Sequence, residues 1–299
     1  MVDLERVTLR DPSSPLTATY VPTAGMIGTS LSDDGVELLG QRRGLEAYVS
    51  SGKSMGIPLL YPWANRLSSN GYGVDGAVVT LTPGTGGVRT EEHGLPIHGT
   101  LAGYPDWTVT TRHESRLTAE LDFGARPGLL ATFPFPHLLT VDVTLADRTL
   151  TVRTSVTATT GAHVPLCFGF HPYLQLPEAP RPEWLIEMPA MRSLSVNDSG
   201  IPTGETQQRD ASAELLGDRA LDDGYDNVAP GATFTVSGGG RRIEVHFDEG
   251  YPAAQVFAPH SDDVVCFEPM AAPTDTLRRG GYRTVAPGES AVAQFRIVV

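Results

Sequence analysis

Two short strings in this sequence, FGFHPYLQL around His171 and VVCFEPM around Glu268, hold an imidazole and a carboxylate in settings suited to proton exchange. In an extended chain Cys167, Gly169 and His171 share one face, and Phe168 and Phe170 the other. Pro172 biases His171 toward extended backbone, and Gly169 leaves the face beside the imidazole bare, which suits close approach of a ligand. Spacing alone serves equally well for a buried histidine satisfied by a backbone carbonyl. Val264, Cys266 and Glu268 also share a face, so this carboxylate continues the apolar side of a strand. Burial raises a carboxyl pKa, as a general base near neutral pH requires. A salt bridge or a solvated strand end would account for Glu268 as well.

Other polar groups stand in rigid settings. His98, in LPIHGT, follows a proline and an apolar residue and precedes a glycine. Asn65 and Arg66 come after the proline-stiffened aromatic stretch of PLLYPWANRL. Arg66 could fork two hydroxyls or a carboxylate, and Trp63 could stack on an apolar sugar face, although a structural salt bridge is the commoner use of a lone arginine. In LDDGYDNV, Asp222 and Asp223 read as solvated turn residues and Asp226, after Tyr225, as the one placed to face a cleft.

Several other strings lose their chemistry to context. Gly52-Lys53-Ser54-Met55-Gly56 matches the G-x-S-x-G nucleophile elbow, but Pro58 and Pro62 follow at once, so a glycine-rich loop is expected instead. The Gly-Lys-Ser within it lacks the first glycine of a phosphate-cradling loop, because position 47 is Ala47. The eight histidines show neither H-x-H nor H-E-x-x-H spacing, so no metal site is signalled. Lys53 is the only lysine, and a Schiff base would have to rest on it. Cys167 and Cys266 lie in apolar runs and read as buried, reduced thiols.

The elements that must position these groups are short strands. With 32 glycines and 24 prolines in 299 residues, long helices are disfavoured and turns are plentiful. Leu139, Val141, Val143 and Leu145 alternate with polar residues, and Leu150, Val152, Thr154 and Val156 repeat the pattern after the Ala146-Asp147-Arg148 turn, predicting a β-hairpin. Runs such as VVTLTP, RLTAELDF, RIEVHFD, AAQVFAP and AVAQFRIVV continue it. AELLGDRAL is a helix candidate, and the segment around Leu45–Ser50 could add a helical turn. A parallel sheet would need helical crossovers for which the chain has no room. The expected fold is all-β, an antiparallel sandwich or barrel. No composition shift marks a boundary, so residues 1–299 are expected to form a single domain, with PEAPRPEW as a loop inside it.

Charge narrows the partners. The net charge is −13 with no basic block, which disfavours nucleic acid and anionic membrane surfaces. No stretch approaches the ~18 apolar residues of a membrane span, and MVDLERVTLRD has no apolar core of a signal peptide. A cytoplasmic protein acting on a small molecule is expected.

Taken together and in order, PLLYPWANRL, PIHGTLAG, FGFHPYLQL, DDGYDNV, AQVFAPH and CFEPMAAPTDTL resemble the aldose 1-epimerase, or galactose mutarotase-like, family. The resemblance runs over about residues 20–290, and FGFHPYL and FEPM are its most specific pieces. HPYL and FEPM are more similar to the bacterial epimerase-like branch than to the best-known galactose mutarotases, and Asp275 stands where that branch frequently has asparagine. The resemblance implies a large antiparallel β-sandwich with an open sugar cleft. It also implies Glu268 as general base, His171 as general acid, His98, Arg66 and Asp226 as sugar-holding groups with Asn65 beside them, and anomer interconversion without cofactor or metal. The alternatives are a carbohydrate-binding protein without catalysis and a glycoside hydrolase with Asp226 as second carboxylate. The epimerase reading expects His171 and Glu268 to flank a space for one pyranose ring rather than touch.

Overall fold

The computed structural model describes residues 4–74, 76–159 and 161–299, so the first three residues of the N-terminal string lie outside the described part. The alternating runs become strands. His137–Ala146 and Thr149–Ala158 pair in antiparallel register from His137↔Ala158 to Ala146↔Thr149. Only Asp147 and Arg148 remain for the turn, both with positive φ (51° and 58°), the twist that a two-residue hairpin needs.

This hairpin lies inside a nine-stranded sheet that ends on Ser212–Leu215 at one edge and Thr108–His113 at the other. An eight-stranded sheet contains Leu221–Asp226, Ala253–Ala258, Val265–Met270 and Gly169–Phe170 as neighbours in that order. A four-stranded sheet from residues 7–37 and two short two-stranded pairs complete the set, and the named strands pair antiparallel throughout. The two large sheets meet through their apolar faces. Phe234 of the first packs on Phe267 of the second at 5.5 Å between ring centroids, and Phe295 on Phe170 at 5.0 Å. The fold is therefore the antiparallel β-sandwich expected.

One expectation fails. AELLGDRAL forms no helix; its first half belongs to the edge strand Ser212–Leu215, paired with Leu185–Met188. Cross-strand pairing overrides the helix propensity of Ala, Glu and Leu. The other helical candidate is present as Gly44–Ser51, and the Gly52–Gly56 string follows it as a loop. Cys167 and Cys266 are buried free thiols. No helix among the described residues is long and apolar enough to cross a membrane.

A buried histidine ties the sandwich to the chain that carries the site. His137 is completely buried; its Nδ1–H donates to the Phe135 carbonyl at 2.6 Å, so Nε2 accepts from the Tyr61 hydroxyl at 2.5 Å. Phe123 stacks on the ring at 4.5 Å. Burial pushes its pKa down from 6.5 to about 4. Between those values the unfolded chain binds a proton that the native one refuses, so stability is whole above pH 6.5 and is lost as pH falls. About 3 kcal/mol should disappear by pH 4 from this residue. Denaturant midpoints measured across that range should fall, and His137→Phe should flatten the slope.

Candidate active site

The segment from Pro58 to Leu67 is laced between the two histidine-bearing segments. On one side Thr100 N–H donates to Tyr61 O (2.7 Å), His98 N–H to Asn65 O (2.9 Å) and Leu67 N–H to Pro96 O (2.9 Å). On the other, Ala64 N–H donates to Cys167 O (2.7 Å) and His171 N–H to Pro58 O (3.1 Å). Asn65 and His98 both hold left-handed backbone, with φ of 54° and 60°. Such strain persists only where surrounding bonds enforce it. Asp275 fixes the end of the segment: its N–H donates to Arg66 O, and its carboxylate accepts from Ser68 N–H (2.8 Å) and Ser68 Oγ (2.9 Å).

His98, His171 and Glu268 converge. The two imidazoles meet edge to face, 5.6 Å between centroids, and His171 Nε2 is 3.1 Å from Glu268 Oε1. His171 and Glu268 therefore touch, which corrects the expectation that a gap separates them. They are also the innermost members, 5% and 2% exposed. Charge is costly at such depth. Burial, with Asp222 adding to it and Arg66 opposing it, raises the Glu268 pKa far above the ordinary carboxyl range. Burial, then His98 and Arg42, depresses that of His171. Both shifts favour the uncharged forms, and the two atoms stand 3.1 Å apart. Burial and then Arg66 also push His98 down to about 3.

Outside this pair lies a cavity of about 290 Å³ lined by Arg66, Asp222, Gln255, Asn197 and Met270, among others. Gln255 stands directly across from Glu268 in the pairing of Ala253–Ala258 with Val265–Met270, so the carboxyl lies just behind the cavity wall. Gln255 Nε2 donates to Asp222 Oδ1 at 2.7 Å, and Arg66 Nη2 approaches Asp222 Oδ2 at 3.7 Å. Arg66 Nη1 donates to Asn65 Oδ1 at 3.0 Å. His98 borders a second, smaller cavity of about 70 Å³ with Ser54 and Arg89.

The aspartate assignment needs correcting. Asp226 is held by Arg192 in a bidentate pair, 2.6 Å on each oxygen, and is absent from the cavity wall. Asp222, read from the sequence as a solvated turn residue, is in the strand Leu221–Asp226 and lines the cavity. Residues 222, 224 and 226 share a face of that strand, so the two-residue period was a signal for Asp222 as much as for Asp226. Gln255 was missed because glutamine carries no chemical signature at sequence level.

Three polar atoms of the converging residues are shut from solvent with no hydrogen-bond partner among the described residues: His98 Nδ1, His171 Nδ1 and Glu268 Oε2. Buried polar atoms are nearly always paired, so these three stand out among the converging residues. Glu91, Glu92 and His93 bring possible ligand atoms within 4.8 Å of one another at the cavity rim, a grouping their sequence spacing did not signal; two of the three are exposed.

No curated protein matches the chain in sequence. Solved structures share its fold: the Slr1438 protein of Synechocystis sp. PCC 6803 superposes with a TM-score of 0.80 at 22% identity over 98% of this chain and 95% of that one. A galactose mutarotase related enzyme from Lactobacillus acidophilus gives 0.79 at 16% identity over 98% and 97%. The GalM/aldose epimerase homologue from C. elegans gives 0.76 at 19% identity over 98% of each. The aldose 1-epimerase family profile matches residues 8–297, which spans both sheets and all the converging residues. The chain therefore belongs to the aldose 1-epimerase family.

Proposed function

We propose that the protein is an aldose 1-epimerase that interconverts the α and β anomers of an aldohexose or a related sugar, with Glu268 as base and His171 as acid. The observation that carries this reading is the buried His171–Glu268 pair at 3.1 Å, set among orphaned polar atoms and backed by Arg66. A cyclic aldose is a hemiacetal. Removing the proton of the C1 hydroxyl and giving one to the ring oxygen opens it to the aldehyde; rotation about C1–C2 and reclosure yield the other anomer.

An acid and a base this close together suit this cycle. With the sugar between the two groups, the reactive form is the Glu268 carboxylate and the His171 imidazolium. Glu268 takes the C1-hydroxyl proton while His171 Nε2 releases its own to the ring oxygen. The pair then holds its one proton on Glu268 and is neutral, the form that burial favours. Reclosure reverses both transfers, so no external acid, base or electron carrier is consumed. Positioned acid and base groups contribute about 10²–10⁴-fold each.

Arg66, Asn65, His98, Asp222 and Gln255 are the sugar-holding set. A glycoside hydrolase that uses Asp226 as its second carboxylate loses support, since Arg192 occupies both oxygens. Asp222→Asn is expected to raise KM about tenfold or more, the scale of a hydrogen bond to a charged group, while Asp226→Asn leaves KM within twofold. Initial rates over a range of sugar concentrations separate the two.

The deciding experiment follows anomer exchange by polarimetry or anomeric-proton NMR across a panel of free and phosphorylated aldoses, with spontaneous mutarotation subtracted. Acceleration of at least one sugar is expected. Binding with exchange at the buffer rate throughout the panel would make this a sugar-binding protein instead.

A further inference from the structure

Glu268 heads a line of residues that runs across the eight-stranded sheet. Gln255 stands opposite Glu268, Gly224 opposite Gln255, Leu194 opposite Gly224 and Thr206 opposite Leu194. Directly opposed residues of paired strands project from the same face. Gly224 leaves a bare spot in that line. A Cβ built there would meet Gln255 Oε1 at 3.2 Å and Leu194 Cδ1 at 3.8 Å, so those two side chains bracket it.

Paired strands lie ~4.8 Å apart, which puts Leu194 about 14 Å from Glu268, further than one pyranose ring reaches. The cavity spans this distance, from Met270 and Gln255 beside Glu268 to Leu194, Val196 and Pro202. Its two ends differ in chemistry. Near Glu268 the wall is polar, with Gln255 and Arg66 both drawn to Asp222. The far end is apolar: Leu194 is half-buried and Val196 is 45% exposed. A tight turn closes it, in which Asn197 Oδ1 accepts from Ser199 N–H and Ile201 N–H, leaving Asp198 and Ser199 at the rim.

We propose, resting on the epimerase reading, that the far end of the cavity is a subsite for a second sugar ring, and that the substrate class is the reducing end of a 1→4-linked disaccharide or longer oligosaccharide. C1 must face His171 and Glu268 for the proton transfers. C4 is the opposite end of a pyranose, so a ring attached through O4 extends away from the pair, past Gly224 and onto Leu194 and Val196. The C–H groups on its face cover the two aliphatic side chains, and its hydroxyls meet Asp198 and Ser199. This second ring takes no part in proton transfer. Its contacts are the same before and during ring opening, so they lower KM and leave kcat unchanged.

The test follows anomer exchange of glucose against maltose and cellobiose, and of galactose against β-1,4-galactobiose, with spontaneous mutarotation subtracted. At least one disaccharide is expected to show a KM about tenfold below that of its monosaccharide, the scale of covering the exposed parts of two aliphatic side chains, with kcat within about twofold. Leu194→Thr combined with Val196→Thr keeps good strand formers while breaking the apolar surface. The double variant should raise that disaccharide KM by about the same factor and leave the monosaccharide KM within about twofold. Disaccharides with KM no lower than their monosaccharides, or a double variant that keeps the preference or weakens both sugars equally, would overturn the proposal. If wild type accelerates a monosaccharide and favours no disaccharide, only the subsite is lost. If wild type leaves every sugar at the buffer rate, the epimerase reading fails and the subsite fails with it.

Discussion

Glu268→Gln is expected to lower anomer interconversion by about 10² or more while sugar affinity stays within a few-fold. Glutamine keeps the shape of the side chain and can still hydrogen-bond, but it cannot take the C1-hydroxyl proton. Removal of one buried charge-bearing group carries a second consequence. His171 also loses the carboxyl that stands 3.1 Å from its Nε2. His171→Asn should therefore give a loss of the same order, and the double variant should lose far less than the product of the two, because the groups act as a unit. NMR of anomer exchange at saturating sugar reads the rate, and calorimetric titration reads the affinity. A Glu268→Gln protein with wild-type exchange would remove Glu268 from the mechanism.

The second large effect is expected from one methyl group. Gly99 has a φ of 69°, and a Cβ built there would sit 2.0 Å from the Tyr61 carbonyl oxygen and 2.8 Å from Pro62 N. These are backbone atoms of the laced segment and cannot swing aside as a side chain would. Gly99→Ala must push apart the strand-like contact that sets His98, Asn65 and Arg66 together, and kcat/KM should fall by about 10² or more, in line with the sensitivity of proton transfer to ~1 Å displacements. Gly94→Ala supplies the control. Gly94 has a similar φ of 76° but open space around its Cβ position, so its substitution carries only the left-handed backbone penalty, about 1–2 kcal/mol, with little effect on kcat/KM. Equal kinetic losses in the two variants would show that backbone strain, rather than the lacing of the site, is what Gly99 controls.

The parts of this protein that were legible in the sequence are those encoded by local periodicity and local rigidity. Two-residue alternation from Leu139 to Val156 specified the hairpin and its buried face, because a strand sends successive side chains to opposite sides. Glycines and prolines marked the turns. His98, His171, Asn65, Arg66 and Glu268 stood out as polar groups in stiff or apolar settings, and the family resemblance placed them in one cleft. The structure joins His98, His171 and Glu268 in one buried cluster and pairs Arg66 with Asn65, with Arg66 on the wall of the larger cavity and His98 on that of the smaller.

Tertiary structure alone decided between neighbours that share the same local pattern. Asp222 and Asp226 project from one face of one strand, so no sequence period distinguishes them. Register does: Arg192 lies directly opposite Asp226 and takes its carboxylate, whereas Asp222 receives Gln255 and reaches toward Arg66. The segment AELLGDRAL reads as helix from its own residues and becomes an edge strand because Leu185–Met188 lies there to pair with it. The contact between His171 and Glu268 arises from pairing strands about a hundred residues apart. Periodicity records which face of an element a side chain occupies; which charge, donor or ring it meets there depends on the register and packing of elements distant in the chain.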